Sequence, residues 1–399
     1  MKRILGLGLL ALIAVLASCG TSSSGSGSGG DVTVTVTATG ASAAAYHAGS
    51  AAWQAPSDPT TFSFTVSGGG AYEVAVRCGD DIVLVALTTN ELSALDLSCP
   101  TTPSTIAFDV SYDVSGVTGA AGAVLFYKGS GFSGIPKAGV TNTFNVGSGL
   151  AGTQDLVVIA VDNGGNLLAA KTATVTAAAG GTYSVPALTD ADAVGGAAFP
   201  DFSALVPTGY TPGWMVLAIT ANDTTVPAGQ GSDSGGPGST YYLYPFAART
   251  LYVAFAENPP YSIGTIVAQA SGTPTLTFPS TIDPSASGAP VSVSNLSAGA
   301  NLLAYAISVN WGTPVGFSVT ISKGFLGSST AYTLPDLTAL GGFSDAMPAS
   351  GDTVNVTVTA FESNLSLADL IALDEDSIFF LPAGISLSIS EKSINYVLP

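Results

Sequence analysis

Charge is scarce in this chain of 399 residues, and positive charge most of all. Nine Lys and Arg stand against 27 Asp and Glu, and charged residues make up 9% of the sequence. A net charge of −18 with no basic cluster excludes nucleic acid and anionic lipid head groups as partners, since both require concentrated cations. The same low charge content excludes the dense acidic coat of salt-adapted proteins. Histidine is nearly absent: His47 is the only one. That removes His-based metal sites and any catalytic dyad that does not use His47. Cysteine occurs three times, without the close spacing and neighbouring histidines of a metal site. No apolar run reaches the roughly 20 residues that a membrane-spanning helix needs.

The N-terminal apolar run, Ile4 to Ala17, follows Lys2 and Arg3 and is too short to span a bilayer, so it reads as an export signal. It ends in Leu16, Ala17, Ser18 and Cys19. These four residues resemble the lipobox of bacterial lipoproteins, which implies cleavage after residue 18 and diacylglycerol on Cys19. Residues 1–18 are then a signal peptide. Residues 19–30 are the lipidated cysteine and a Gly/Ser tether, a random coil reaching roughly 20 Å. The resemblance implies an extracytoplasmic body anchored to the cell envelope through its lipid, with Gly20 after the cysteine favouring the outer membrane. Loss of Lys2 and Arg3 takes the net charge from −18 to about −20.

From residue 31 onward, short alternating or β-branched runs recur between Gly, Pro, Asn and Asp: DVTVTVTATG, TFSFTVSG, YEVAVRC, DIVLVALT, DLVVIAVD, KTATVTA. They predict an all-β protein of antiparallel β-sandwich modules, immunoglobulin-like or fibronectin-like by pattern of strands and spacing. VDNGGN at 161–166 predicts a hairpin, because Asn and Gly accept positive φ. Only LSLADLIALDED, Leu365 to Asp376, has helical spacing. A membrane barrel is disfavoured, because Gly and Ala dominate the strand faces and a lipid anchor would be redundant. An internal repeat of about 145 residues relates Phe144–Asp162 to Val291–Val309, TYSVPALTD at Thr182 to AYTLPDLTA at Ala331, and Ser239 onward to Ser377 onward. The expected modules are 31–102, 103–180, 181–268, 269–330 and 331–399, a lone module followed by two pairs.

In YEVAVRC and ALDLSC the alternation places Cys78 with Tyr72, Val74 and Val76, and Cys99 with Leu95 and Leu97. Both thiols point into one core. In an oxidising compartment they form a disulfide rather than a reactive pair.

The sharpest chemical motif is DSGGP, Asp233 to Pro237, which resembles the nucleophile segment of chymotrypsin-like serine proteases. The resemblance implies Ser234 as nucleophile, His47 as general base and Asp81 as its orienting acid. The departures are several: Ser232 intervenes where Gly should precede Asp233, and Asp81 lies far upstream of Ser234. The repeat also makes this segment a variable loop, so the sequence reading is a Gly/Ser-rich turn. Paired carboxylates at Asp80 and Asp81, Asp190 and Asp192, and Asp374 to Asp376 offer Ca²⁺ as a possible cofactor, but none has the spacing of a known calcium loop. In YYLYPF the alternation puts Tyr242 and Tyr244 together on a face that could stack on sugars. The leading expectation is a non-enzymatic envelope lipoprotein serving as spacer, adhesive or assembly element, with envelope glycans or proteins as partners. Glycan or other ligand binding is the alternative, and a serine hydrolase using Ser234 is the second.

Overall fold

The structure is a computed structural model, and it describes residues 30–101, 103–129, 134–296, 299, 301–311, 315–373 and 381–398. The signal segment, Cys19 and most of the tether lie outside these residues, as do Asp374, Glu375 and Asp376.

The all-β expectation is met, and the first segment shows why. Thr and Val alternate in β1 (Asp31–Thr37), as do Phe, Val, Ser and Thr in β3 (Thr61–Ser67), so each has one apolar and one hydroxyl face. β1 pairs antiparallel with β3 and parallel with β6 (Ala94–Asp96), making the covering sheet β3-β1-β6. Its valines and Phe64 pack on Tyr72, Val74, Val76 and Val85 of β4 (Ala71–Cys78) and β5 (Asp81–Thr88), which β2 (Ala43–Ala48) flanks.

The next segment repeats that connectivity. β7 (Thr105–Asp113) pairs antiparallel with β10 (Thr141–Leu150) and parallel with β13 (Thr182–Ser184). Opposite lies the sheet β12-β11-β8-β9, from β8 (Gly122–Phe126), β9 (Ile135–Ala138), β11 (Gly152–Val161) and β12 (Leu167–Ala177). Its core draws only on residues 106–188. The hairpin expected at 161–166 joins β11 to β12: the Asp162 carboxylate accepts from the backbone of Gly164 and Asn166, and Gly165 has φ +82°.

The third segment supplies β14 (Gly195–Phe199), β15 (Thr211–Ile219), β16 (Thr225–Gly231), β17 (Gly236–Leu243), β18 (Arg249–Asn258) and β19 (Tyr261–Gln269). The rest of the chain supplies β20 (Ser285–Ser287), β21 (Ser292–Ser294), β22 (Leu302–Asn310), β23 (Gly316–Ser322), helix α1 (Lys323–Leu326) and β24 (Ala331–Thr333). It ends with β25 (Thr353–Ser363), helix α2 (Leu367–Ile371) and β26 (Ser386–Val397). The helical expectation near Leu365 is met by α2, whose N-cap Ser366 accepts from the Asp369 amide.

Strands from four of the five expected modules join one sheet of 11 strands, ordered β16-β15-β18-β19-β26-β25-β22-β23-β5-β4-β2. Its seams are the antiparallel pair β19–β26 and the parallel pair β5–β23. The expected modules 31–102, 181–268, 269–330 and 331–399 therefore share one sheet, whereas 103–180 contributes no strand to it; alternation shows that a strand exists but not which edge will find it.

The 145-residue repeat is not confirmed: the matching hairpins β11–β12 and β22–β23 are both antiparallel, but the following strands pair differently. β13 runs parallel to β7, whereas its sequence match β24 runs antiparallel to β21. Three layers cover the long sheet: β3-β1-β6 with α2 on one face, and β20-β21-β24 and β14-β17 elsewhere. The outer residues Val157 and Ile159 of β11 pack into the core that holds β14 and β17, docking the second segment on the third.

Candidate functional site

The three residues of the protease resemblance are placed apart. His47 lies in β2, the last strand of the long sheet, and Asp81 opens β5 opposite Cys78 and Gly316. Ser234 lies in the connection after β16, the strand at the opposite end of the sheet order. Each has other neighbours. Burial, then the charge of Asp80, raises the Asp81 carboxyl above its ordinary range, and the Ser234 carbonyl accepts from the Phe202 amide.

DSGGP is explained by its own turn. One Asp233 carboxylate oxygen accepts from Trp214 Nε1 at 3.0 Å, the Gly235 amide at 2.8 Å and the Ser239 hydroxyl. These bonds, the Ser239 hydroxyl foremost, hold the Asp233 carboxyl below its ordinary range. Gly235 has φ +80°, and a Cβ there would lie 2.2 Å from the Pro200 carbonyl oxygen. Glycine is required here by backbone geometry. Gly235→Ala is therefore expected to destabilise the chain by about 2 kcal/mol, while Ser234→Ala, which removes no hydrogen bond, stays within about 0.5 kcal/mol. Urea denaturation of the two variants checks this; a Ser234→Ala effect as large as that of Gly235→Ala would contradict the turn explanation.

His47 has a partner that sequence reasoning missed. In register across β2 and β4 it faces Glu73, with Nδ1 at 3.3 Å from Oε2. The other carboxylate oxygen of Glu73 accepts from the Tyr332 hydroxyl at 2.6 Å, and Trp53 stacks on the imidazole at 5.6 Å between ring centroids. Glu73 is 9% exposed and Tyr332 6%. Burial raises the Glu73 carboxyl, opposed by the bonds from Tyr332 and His47. Burial and the adjacent carboxylate push the Tyr332 phenol well above its usual value. One signal was available: Glu73 is a charge amid the apolar strand YEVAVRC. Nothing local could have supplied Tyr332, 259 residues away.

The other candidates resolve individually. Tyr244 is buried, stacked on Phe246 and bonded to the Pro227 carbonyl, so it forms no exposed platform with the half-buried Tyr242. β17 ends at Leu243, and the alternation does not continue through Tyr244. Asp190 is bonded to Thr118, while Asp192 is bonded to Thr189 and paired with Lys171. Among the described residues no three His, Cys, Asp or Glu are grouped to hold a metal ion.

Two of the covering sheets, β3-β1-β6 and β20-β21-β24, share one surface chemistry. Outward on β1 and β3, Thr33, Thr35 and Thr37 face Thr65, Ser63 and Thr61. On β20, β21 and β24, Ser285 bonds Ser294 and Thr333 bonds Ser292 through their hydroxyls. These neutral hydroxyl faces solvate a chain that has few charges to do so.

Cys78 and Cys99 are joined as a disulfide. No helix among the described residues is long and apolar enough to cross a membrane. No protein-family model matches the chain, and no curated protein matches it.

Proposed function

We propose that this chain is a lipid-anchored, extracytoplasmic protein that performs no catalysis and holds a β body at the cell envelope as a spacer, adhesive or assembly element. The observation that carries this reading is the order of its first thirty residues. Lys2 and Arg3, an apolar run, Leu16-Ala17-Ser18-Cys19 and a Gly/Ser stretch lead directly into β1 at Asp31. A Gly/Ser-rich segment ahead of a body whose sheet is continuous across four segments suits presentation at a distance from a membrane. The disulfide is in keeping with an oxidising compartment. Gly20 favours the outer membrane as the destination.

The test is Cys19→Ala. In cells fed a labelled fatty acid, the unaltered chain is expected to carry label and sediment with membranes, and the variant to lose both, since stable anchoring depends on the acyl chains. An unaltered chain without label would overturn the reading.

Glycan binding is the second reading, favoured by the ordered hydroxyl faces of β1, β3, β20, β21 and β24. It predicts retention on envelope polysaccharide that Thr33→Val with Thr35→Val abolishes. Retention unaffected by that change would place binding elsewhere.

A further inference from the structure

Gly147 lies inside β10 for no reason that its own backbone supplies. Glycine weakens a strand interior, and where it stands in one it marks a bulge, a bend or the close approach of another molecule. A bulge is present: Val146 pairs with Phe108 and Gly149 with Ile106, so Gly147 and Ser148 together oppose Ala107. The bulge does not demand glycine, however. The φ of Gly147 lies outside the left-handed region, and a Cβ there would meet no atom within 4 Å. Two nearby glycines differ: Gly180 has φ +70°, and a Cβ on Gly181 would lie 2.3 Å from the Tyr183 hydroxyl. What Gly147 supplies is room for an outside molecule.

That room is a hollow of about 340 Å³ on the sheet β10-β7-β13, lined by Ala107, Asp109, Asn145, Gly147, Gly180 and Gly181 among others. Its size is at the small end of the roughly 300–1,000 Å³ of small-molecule sites. Ala107 and the three glycines leave the backbone nearly bare, and one wall is polar. There Asn145 faces Asp109 in register, and its Nδ2 donates to Oδ1 at 2.7 Å. The bond fixes both side chains and leaves the second carboxylate oxygen and the Asn145 carbonyl as acceptors for hydroxyl groups. Among the described residues Asp109 is the one charged side chain lining the hollow, which disfavours an anionic ligand. A calcium ion takes six to eight oxygens, more than one carboxylate and one amide supply.

We propose that this hollow binds one ring of a neutral saccharide, with Asp109 and Asn145 accepting from adjacent ring hydroxyls and Gly147 admitting the ring to the strand surface. Ring C–H groups rest on Ala107 and the bare glycine backbone. A carboxylate is the stronger acceptor, so Asp109 carries most of the affinity. A solvent-facing hollow that holds a single ring gives weak binding, on the order of 1 mM. The site lies on a different sheet from Thr33 and Thr35 and does not rest on the hydroxyl faces.

Saturation-transfer difference NMR of the full chain tests the site, with methyl α-glucoside, methyl α-mannoside, methyl β-galactoside and N-acetylglucosamine as separate probes. At least one is expected to show transfer. Gly147→Val, which fills the hollow, is expected to abolish it while keeping or raising the urea midpoint, because valine suits a strand better than glycine. Asp109→Asn keeps an acceptor for Asn145 and removes the charge; it is expected to weaken binding about tenfold, and it stands alone if the valine variant does not fold. Thr33→Val with Thr35→Val is expected to leave the transfer unchanged, which separates this site from the hydroxyl-face reading. The proposal is overturned by no transfer to any of these probes, by full transfer in a folded Gly147→Val or in Asp109→Asn, by transfer lost in the Thr33 and Thr35 variant, or by transfer that EDTA abolishes.

Discussion

Replacing Cys78 and Cys99 together by Ala lowers the unfolding free energy by about 3 kcal/mol, the loop-closure value for a bridge between residues 21 apart. The bond links two layers. Cys78 ends β4 of the long sheet, and Cys99 follows β6 of the covering sheet, where its amide donates to the Thr39 carbonyl. Without the bridge, Leu95 and Leu97 keep their buried places, but the short strand β6 is held to β1 by three register pairs and a few flanking backbone bonds. Urea denaturation under oxidising conditions measures the loss. Adding dithiothreitol to the unaltered chain should reproduce it and should leave the double variant unchanged. A double variant as stable as the oxidised chain would mean that the bridge constrains nothing in the unfolded state.

The disulfide was legible because it is local: two alternating runs put both sulfurs, 21 residues apart, toward the core between two facing layers. The turn at Asp162, the helical spacing near Leu365 and the two-faced strands β1 and β3 were legible for the same reason, each being decided within about ten residues. What was not legible lies at long range. β5 reads as an apolar run, which fixes it as buried but is silent on its parallel partner β23 more than 200 residues later. The resemblance at DSGGP arises because glycine serves an oxyanion hole and a tight turn equally well, and the departures from the family pattern already favour the turn. Here φ +80° at Gly235 and the nearness of Pro200 decide for the turn. The sole histidine, His47, reads as a hydrogen-bonded loop residue near Trp53; the ring does stack on Trp53, but it sits in β2, and its partner Glu73, directly opposite in register on β4, is not legible from the sequence. The repeat was sensed through strands of similar role, yet pairing partners rather than strand sequences determine topology.

Leu84→Ala costs about 2–5 kcal/mol, and the more telling result is where the loss is felt. Leu84 is fully buried in β5, between Ala75 of β4 and Val319 of β23. It therefore packs at the seam between the first segment and the fourth, in a core shared with Trp311, Phe317 and Tyr332. In a string of independent modules, a cavity at Leu84 would lower only the transition of residues 31–102. In a continuous sheet the cavity removes contacts from both sides of the seam, and unpairing β5 would expose the β23 edge with its apolar neighbours. The two regions then unfold together. Trp53 reports the first and Trp311 the fourth, and their 5-fluorotryptophan resonances can be followed through urea in one sample. Both midpoints are expected to fall by the same amount in Leu84→Ala. A Trp311 midpoint that stays put while that of Trp53 falls would show that hydrogen bonding across the seam adds no cooperativity, and the segments would be modules after all.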